Sequence, residues 1–284
     1  MKILLTGGTG FLGSHLAQKL IESYELAILK RSHSSLKRLK NLDYLCFDID
    51  KTSLEDIFKT FGPDIIIHTA ASYGKNETAS QTIATNLIFP LELLEKAIQF
   101  RVKTFINTDT SLPIFTNSYA LSKKQFSQWL FFYSEKIQVV NMIVEYFYGA
   151  GDEEWKFITM LIRKMLRNEH IDLSECLAER DFIYIDDAVE GYLCVLKHLS
   201  ECANFQNIEL GSGQAIQLKR LALLCKSMIN NTKSDLNFGK LPTRPNEVML
   251  SKADTSFLTK LGWKPRYSLE EGILQTIKLE SELL

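Results

Sequence analysis

The chain has 284 residues, a formal net charge of −1 and a sequence pI near 6.5, so it can bury a large core and shows no charge excess typical of nucleic-acid or membrane-surface binding. Its five cysteines are odd in number and lack Cys-x-x-Cys spacing, which favours reduced thiols over disulfides or a metal site. No signal peptide or membrane-spanning apolar run is found, so we expect a cytoplasmic protein that binds neither nucleic acid nor membranes.

The first predicted strand is followed directly by a glycine-rich turn. Residues 1–6 form an apolar run that suits a strand buried on both faces, and helical periodicity resumes at residues 14–20. Between them, Gly7, Gly10 and Gly13 recur at every third position. Glycines in this context let backbone N–H groups approach a pyrophosphate at a helix N-terminus, so the segment predicts a dinucleotide site. The alternative is an ordinary surface turn, and the position after an N-terminal strand argues against it.

The second predicted strand, residues 26–29, ends in a basic turn. Lys30, Arg31 and Ser32 stand where an acidic residue would hydrogen-bond the ribose hydroxyls of NAD. Because a basic pair can neutralise the additional phosphate of NADP, we interpret Lys30 and Arg31 as a clamp for the 2′-phosphate, with Ser32 as a further donor. These residues predict NADP(H) as the cofactor. The alternative is a solvent-exposed basic turn that continues to Lys40.

The third and fourth strands are predicted at residues 44–47 and 64–68. The third ends in Asp48 and Ile49, for which a turn leading into a helix cap is one interpretation. Small residues follow the fourth strand and let the chain pass close to a flat cofactor. They are Thr69, Ala70 and Ala71.

The predicted fifth strand, residues 104–107, is followed by polar side chains. Ligands gather at the carboxyl ends of strands in open parallel sheets, where Thr108, Asp109 and Thr110 emerge. The next helix carries Tyr119 and Lys123, which are four residues apart and share a face. A lysine there can lower the pKa of the tyrosine and reach a nicotinamide ribose. We therefore interpret Tyr119 as a proton donor and Thr108 as the hydroxyl that holds the substrate oxygen.

These motifs resemble, in order, the extended short-chain dehydrogenase/reductases that act on nucleotide sugars, the NAD-dependent epimerase/dehydratase superfamily. Residues 6–13 match the glycine turn of that family, which adds Phe11 and Leu12 to the expected cofactor site. Tyr119 and Lys123 match the family's Ser, Tyr and Lys triad, with Thr108 in place of serine. The resemblance also implies that Asp48 and Ile49 hold the adenine and that Asp109 and Thr110 face the substrate.

Later segments extend the resemblance to about residue 272. Residues 145–152 are similar to the start of the family's substrate lobe, although Ile143 stands where many relatives have arginine. Arg180 opens an Arg-Asp-Phe-Ile-Tyr-Ile-Asp-Asp stretch, and Arg244 precedes a proline. The resemblance implies that both arginines contact the diphosphate of a nucleotide sugar. For Arg180, an exposed Arg–Asp pair is the alternative.

The expected fold is α/β, with a Rossmann doubly wound parallel sheet over residues 1–150. A small C-terminal α/β substrate lobe is expected over residues 151–284, with some later segments returning to the first domain. A long helix is predicted over residues 80–100, with its apolar stripe packed on the sheet. In the related enzymes this helix also packs in a subunit interface, and an asparagine matching Asn86 supports the active-site backbone, so the resemblance implies a homodimer.

Within the family, the segments at 107–109 and 148–152 look most like reductases of nucleotide-linked 4-keto-6-deoxy sugars, of the CDP-abequose synthase type. The dehydratases carry Thr-Asp-Glu where this chain has Thr108, Asp109 and Thr110, so the base for water removal is missing. The resemblance thus implies NADPH-dependent reduction of a C4 ketone in deoxysugar biosynthesis for a surface polysaccharide such as lipopolysaccharide. The alternatives are a 4-epimerase with bound NAD and a non-catalytic NADP-binding protein, and the presence of Tyr119 and Lys123 argues against the latter.

Overall fold

The structure is a computed structural model that describes residues 1–229 and 232–284. Its strands are β1 (Lys2–Thr6), β2 (Glu25–Lys30), β3 (Leu45–Asp48), β4 (Ile65–His68), β5 (Thr104–Thr110), β6 (Gln138–Val144), β7 (Tyr146–Tyr148), β8 (Ile171–Asp172), β9 (Glu179–Tyr184), β10 (Phe205–Leu210), β11 (Ala215–Gln217), β12 (Leu236–Asn237) and β13 (Leu250–Ser251). Its α-helices are α1 (Phe11–Leu20), α2 (Leu54–Phe61), α3 (Ala79–Ile83), α4 (Phe89–Gln99), α5 (Ser118–Tyr133), α6 (Phe157–Leu166), α7 (Ile185–Lys197), α8 (Leu218–Met228), α9 (Ser256–Lys260) and α10 (Leu269–Leu283).

The chain divides into two compact units. The first contains Met1–Ile143 and Tyr192–Ile208, and the second contains Val144–Gly191 and Glu209–Leu284. The first part of this unit ends seven residues before residue 150, and Tyr192–Ile208 also belongs to it. None of the helices in the described part of the chain has the length and apolar composition needed to cross a membrane.

The first unit is built on a seven-stranded sheet in the order β10-β6-β5-β4-β1-β2-β3. The ladders that join β1 to β2 and β4, β2 to β3, and β4 to β5 are parallel. The strand order reverses between β1 and β4, and ligands bind at the carboxyl ends of the strands at such a switch point. This topology confirms the predicted Rossmann sheet.

Burial explains why the central strands read as continuous apolar runs. Residues 3–5 of β1 and residues 65–67 of β4 are at most 2% exposed, because parallel strands are covered on both faces. Helices α2, α4 and α5 contribute Phe58, Leu94 and Phe126 to one buried cluster with Phe105 of β5. This core fixes the sheet edge at which β1, β4 and β5 end.

The helix predicted over residues 80–100 is interrupted in the structure. It comprises α3, a π-helical turn at Ala84–Ile88 and α4. Pro90 lies in the first turn of α4, where it has no N–H to donate to a preceding carbonyl, so a regular α-helical ladder cannot run through this point. The π turn places the fully buried side chain of Asn86 toward the interior of the first unit.

The second unit contains a small sheet in the order β11-β9-β13, with β7 also paired to β9. The buried Asp181 carboxylate of β9 accepts hydrogen bonds from the backbone N–H groups of Ser212, Gly213 and Ala253, and so fixes the turn after β10. Helix α10 is held by Glu280, whose buried carboxylate accepts two hydrogen bonds from the Arg163 guanidinium at 2.7 and 3.1 Å.

Candidate active site

The glycine turn between β1 and α1 is too tight for side chains at two positions. Gly7 has a φ of +72°, and a Cβ there would lie 2.5 Å from the backbone nitrogen of Ala70, while a Cβ at Gly13 would collide with the carbonyl oxygen of Gly7. Gly10 is the N-cap of α1 and supplies no side-chain cap. Because the first N–H groups of a helix lack intrahelical acceptors, those of Phe11, Leu12 and Gly13 fit the pyrophosphate of a dinucleotide.

The segment after β4 lies directly against this turn. The Thr69 hydroxyl donates to the Thr6 carbonyl at 2.8 Å, and the Ala70 N–H lies 3.4 Å from the Thr6 hydroxyl. Thr69 and Ala70 are half-buried and Ala71 is exposed. The structure therefore brings Thr69, Ala70 and Ala71 to the same sheet edge as the glycine turn.

The predicted phosphate clamp is partly engaged in internal ion pairs. The Lys30 ammonium hydrogen-bonds to the Asp48 carboxylate, which lowers the pKa of Asp48 and raises that of Lys30. Ser32 donates its N–H and its hydroxyl to Asp50. Arg31 is exposed beside them. The basic turn thus carries less net positive charge than its sequence indicates.

Two further side chains complete this corner. The Arg38 guanidinium lies 3.5 Å from the Thr9 carbonyl of the glycine turn, a contact that sequence reasoning missed because Arg38 had been placed in the solvent-exposed alternative. Ile49 follows Asp48, donates its N–H to the Lys30 carbonyl at 2.9 Å, and packs against the core cluster.

The hydroxyl beside Tyr119 belongs to Thr110, not to Thr108. Strand β5 continues to Thr110, three residues beyond its predicted end, and the Thr110 side chain hydrogen-bonds to the Tyr119 phenol. The Thr110 oxygen also accepts a hydrogen bond from the Leu112 N–H at 3.2 Å. Thr110, and not Thr108, is therefore the threonine of this strand end that contacts Tyr119.

Thr108 instead pairs with a buried tyrosine. Its hydroxyl lies 2.7 Å from the phenol oxygen of Tyr192, a residue of α7 with no exposed surface. Sequence reasoning missed Tyr192 because it belongs to no motif that carries chemistry. The predicted role of Thr108 beside Tyr119 is therefore not supported by its position.

Asp109 also differs from its predicted role as a substrate contact. Its side chain is 1% exposed and its carboxylate accepts hydrogen bonds from the Lys124 ammonium at 3.1 Å, the Asn141 amide at 3.2 Å and the Thr110 N–H at 2.7 Å. Successive residues of a strand point to opposite faces, so Asp109 points away from the side shared by Thr108 and Thr110. These buried hydrogen bonds hold the end of β5 in place.

Burial dominates the electrostatics of the Tyr119 and Lys123 pair. It raises the pKa of the Tyr119 phenol well above its usual value, with further contributions from Tyr73 and Asp109. Burial also lowers the pKa of Lys123 to about 8, opposed by Asp109 and assisted by Lys124. The Thr110 hydrogen bond opposes the rise, and the phenol keeps its proton near neutral pH.

The loop after β4 covers Tyr119 and is anchored to α5. The Tyr73 ring packs against the Tyr119 ring in a tilted arrangement, with centroids 5.0 Å apart and 33° between the ring planes. Asn86 accepts a hydrogen bond from the Ser72 N–H at 2.7 Å and donates to the Ser72 carbonyl and to the Ser122 hydroxyl. Asn86 therefore joins the residue before Tyr73 to the residue before Lys123.

In the second unit, Arg180 is buried among polar partners. Its guanidinium donates to the Tyr146 phenol at 3.2 Å, to the Glu179 carbonyl at 2.8 Å and to the Glu247 carboxylate. It is 4% exposed, which rules out the alternative of an exposed surface pair. Arg244 lies in an exposed turn, and its carbonyl oxygen accepts a hydrogen bond from the Glu247 N–H.

The described residues contain no group of three or more histidine, cysteine and acidic side chains able to hold a metal ion. The cysteines are all free thiols, namely Cys46, Cys176, Cys194, Cys202 and Cys225.

The chain is similar to one family model, to curated proteins and to solved structures, and these findings agree with one another. The family model described as the NAD dependent epimerase/dehydratase family matches residues 3–211. A CDP-abequose synthase of Salmonella muenchen is 34% identical, covering 98% of this chain and 98% of the relative, and one from Salmonella typhimurium is 30% identical with 97% of each covered. Among solved structures, UDP-glucose 4-epimerase with UDP-glucose from Thermotoga maritima superposes with a TM-score of 0.88 at 26% identity, covering 100% of this chain and 99% of the other.

Proposed function

Since the chain belongs to the NAD-dependent epimerase/dehydratase family of nucleotide-sugar enzymes, we propose that it uses NADPH to reduce the C4 ketone of a nucleotide-linked 4-keto-6-deoxy sugar. The observation that carries this proposal is the arrangement of Thr110, Tyr119 and Lys123 at the end of β5, on the sheet edge that also bears the glycine turn. The similarity to CDP-abequose synthases supports a place in deoxysugar biosynthesis, with a surface polysaccharide as its destination.

The protein's own residues have distinct tasks in this reaction. The cofactor, when bound, supplies a hydride to the ketone carbon. Tyr119 donates the phenolic proton to the oxygen as the carbonyl π bond breaks, so that hydride and proton together give the alcohol. Thr110 holds that oxygen by a hydrogen bond, and Lys123 orients the nicotinamide ribose. Solvent then returns a proton to Tyr119.

A raised pKa keeps the proton on the Tyr119 phenol, which is the form that donates during reduction. A buried phenol that keeps its proton is ready to donate it, whereas oxidation of an alcohol requires the phenolate to accept one. A 4-epimerase begins with that oxidation. It remains the second candidate because the Lys30 ammonium is engaged by Asp48, which weakens the case for a 2′-phosphate clamp, and because the Thermotoga maritima structure is an epimerase.

The function is tested by following NADPH oxidation at 340 nm with CDP-, dTDP- and GDP-linked 4-keto-6-deoxy sugars. We expect turnover with at least one of them and a product alcohol at C4. A purified protein that carries NAD, ignores NADPH and interconverts C4 epimers would instead establish the epimerase. Absence of both activities, with nucleotide bound, would favour a non-catalytic binding protein.

We propose that NADPH preference depends chiefly on Arg31, since Lys30 and Ser32 already have acidic partners. Replacing Arg31 by alanine is expected to raise KM for NADPH about tenfold to a hundredfold, because a charged hydrogen bond to phosphate is worth about 1.5–3 kcal/mol. KM for NADH should not change. Lys37→Ala, in the same basic turn, is the matched control, and an equal effect there would mean that the turn acts only through its general charge.

We propose further that the protein is a homodimer through α5 and the Ala79–Gln99 region. Ile88, Trp129 and Phe132 are 47%, 40% and 68% exposed, a set of large apolar side chains that solvent rarely surrounds without a partner. Trp129→Glu is expected to shift the mass measured by light scattering from dimer to monomer. Gln128→Glu, at the neighbouring exposed position, should leave it unchanged, and a monomeric wild-type protein would contradict the proposal.

A further inference from the structure

Two arginines of the second unit are predicted to bind the substrate. Arg180 is buried, whereas Arg244 is exposed. Three of the five N–H donors of Arg180 are engaged by the Tyr146 phenol, the Glu179 carbonyl and the Glu247 carboxylate. The Tyr146 ring also faces the guanidinium, and its centroid lies 5.7 Å from the Arg180 Cζ atom. Of these partners, Glu247 alone carries a negative charge.

Glu247 is also more exposed than Arg180. The Arg180 side chain is 4% exposed and that of Glu247 is 20% exposed, so the carboxylate is the more solvent-accessible member of this ion pair. Tyr146 and Glu179 belong to strands that are paired in one sheet, whereas Glu247 lies in a segment of the chain without helix or strand between β12 and β13. Glu247 is therefore the partner that is able to leave without breaking the sheet.

We infer that the Glu247 carboxylate is an internal competitor that occupies the anion position of Arg180 until the diphosphate of the substrate displaces it. This inference rests on the proposed role of Arg180 in binding a nucleotide sugar. A phosphate and a carboxylate both accept the paired N–H groups of a guanidinium, so they compete for the same donors. Each binding event then includes the loss of one buried ion pair, which lowers the affinity for the nucleotide.

The turn around Glu247 links this competition to Arg244. The Glu247 N–H donates to the Arg244 carbonyl at 3.2 Å, and Asn246 between them has a φ of +58°, so the residues form one turn. The side chains at 241–246 are exposed. Displacement of Glu247 therefore moves the turn that bears Arg244, the second arginine expected at the diphosphate.

Calorimetric titration of the full-length chain with CDP, UDP and dTDP tests this inference without requiring turnover. Glu247→Gln keeps the size of the side chain and removes its charge, so the Kd of the preferred nucleotide is expected to fall about tenfold. Glu282→Gln, at an exposed site in α10, makes the same change in net charge and should leave Kd unchanged. In an Arg180→Gln background, Glu247→Gln should no longer tighten binding.

The outcomes separate the inference from the proposed function. Nucleotide binding that is unchanged or weakened by Glu247→Gln, in a variant with wild-type thermal stability, overturns the competition. If Glu247→Gln does not fold, Glu247→Asp replaces it, since the shorter carboxylate holds Arg180 less firmly and should also tighten binding. Failure of every variant to bind any nucleoside diphosphate overturns both proposals.

Discussion

Replacement of Tyr119 by phenylalanine is expected to lower kcat for NADPH-dependent ketone reduction by about 10²–10⁴-fold, the usual contribution of a positioned general acid. The phenol is the group that the Thr110 hydroxyl holds and that burial keeps protonated. Phenylalanine preserves the ring and its packing against Tyr73, so the substitution removes only the hydroxyl group that donates the proton. The measurement is single-turnover oxidation of NADPH with the preferred 4-keto sugar.

Cofactor binding separates a chemical effect from a structural one. Tyr119→Phe should bind NADPH with a Kd within about twofold of wild type, since no predicted phosphate contact involves the phenol. Tyr73→Phe is the matched control, because it removes a neighbouring hydroxyl while keeping the ring that covers Tyr119. A Tyr119→Phe enzyme that retains near-normal turnover would contradict the proposed role of the phenol as proton donor.

Strand β5 shows which features can be predicted from the sequence and which cannot. Alternation of strands and helices and the glycine spacing predict the Rossmann sheet, which the structure confirms. The Tyr119–Lys123 interval predicts a site at the end of β5, which stays a prediction. The end of β5 was misplaced because the apolar run stops at Ile106, whereas the strand continues through polar residues. Those residues remain in the sheet because Asn107 and Asp109 find buried partners in Asn141 and Lys124.

Ion pairing is the second feature that the sequence conceals. Lys30 meets Asp48 across 18 residues of sequence, and Arg180 meets Glu247 across 67. A motif identifies each arginine or lysine by its neighbours in the chain, while the acid that engages it arrives from a different element. The charge that a ligand encounters therefore depends on tertiary pairing, which explains why cofactor preference was harder to predict than fold.

Lys123→Met is expected to abolish measurable reduction and at the same time to stabilise the fold. The Lys123 side chain is buried, and its pKa falls from 10.5 to about 8, so the ammonium is less favourable in the folded protein than in the unfolded chain. Below pH 8, keeping Lys123 charged in the folded protein therefore costs roughly 3 kcal/mol of unfolding free energy. Methionine fills the same space without that penalty, which should raise Tm by several degrees.

The pH dependence of stability gives the sign of this effect. Between pH 8 and 10.5 the unfolded chain binds the Lys123 proton and the folded protein does not, so wild-type unfolding free energy should rise with pH across this window. In Lys123→Met that contribution disappears, which urea titrations at pH 7.5, 9 and 10.5 will measure. Lys124→Met is the matched control with the opposite sign, because it removes the ammonium that is hydrogen-bonded to the buried Asp109 carboxylate and should lower stability. A Lys123→Met variant that is both less stable and active would show that the buried ammonium serves the fold and not the reaction.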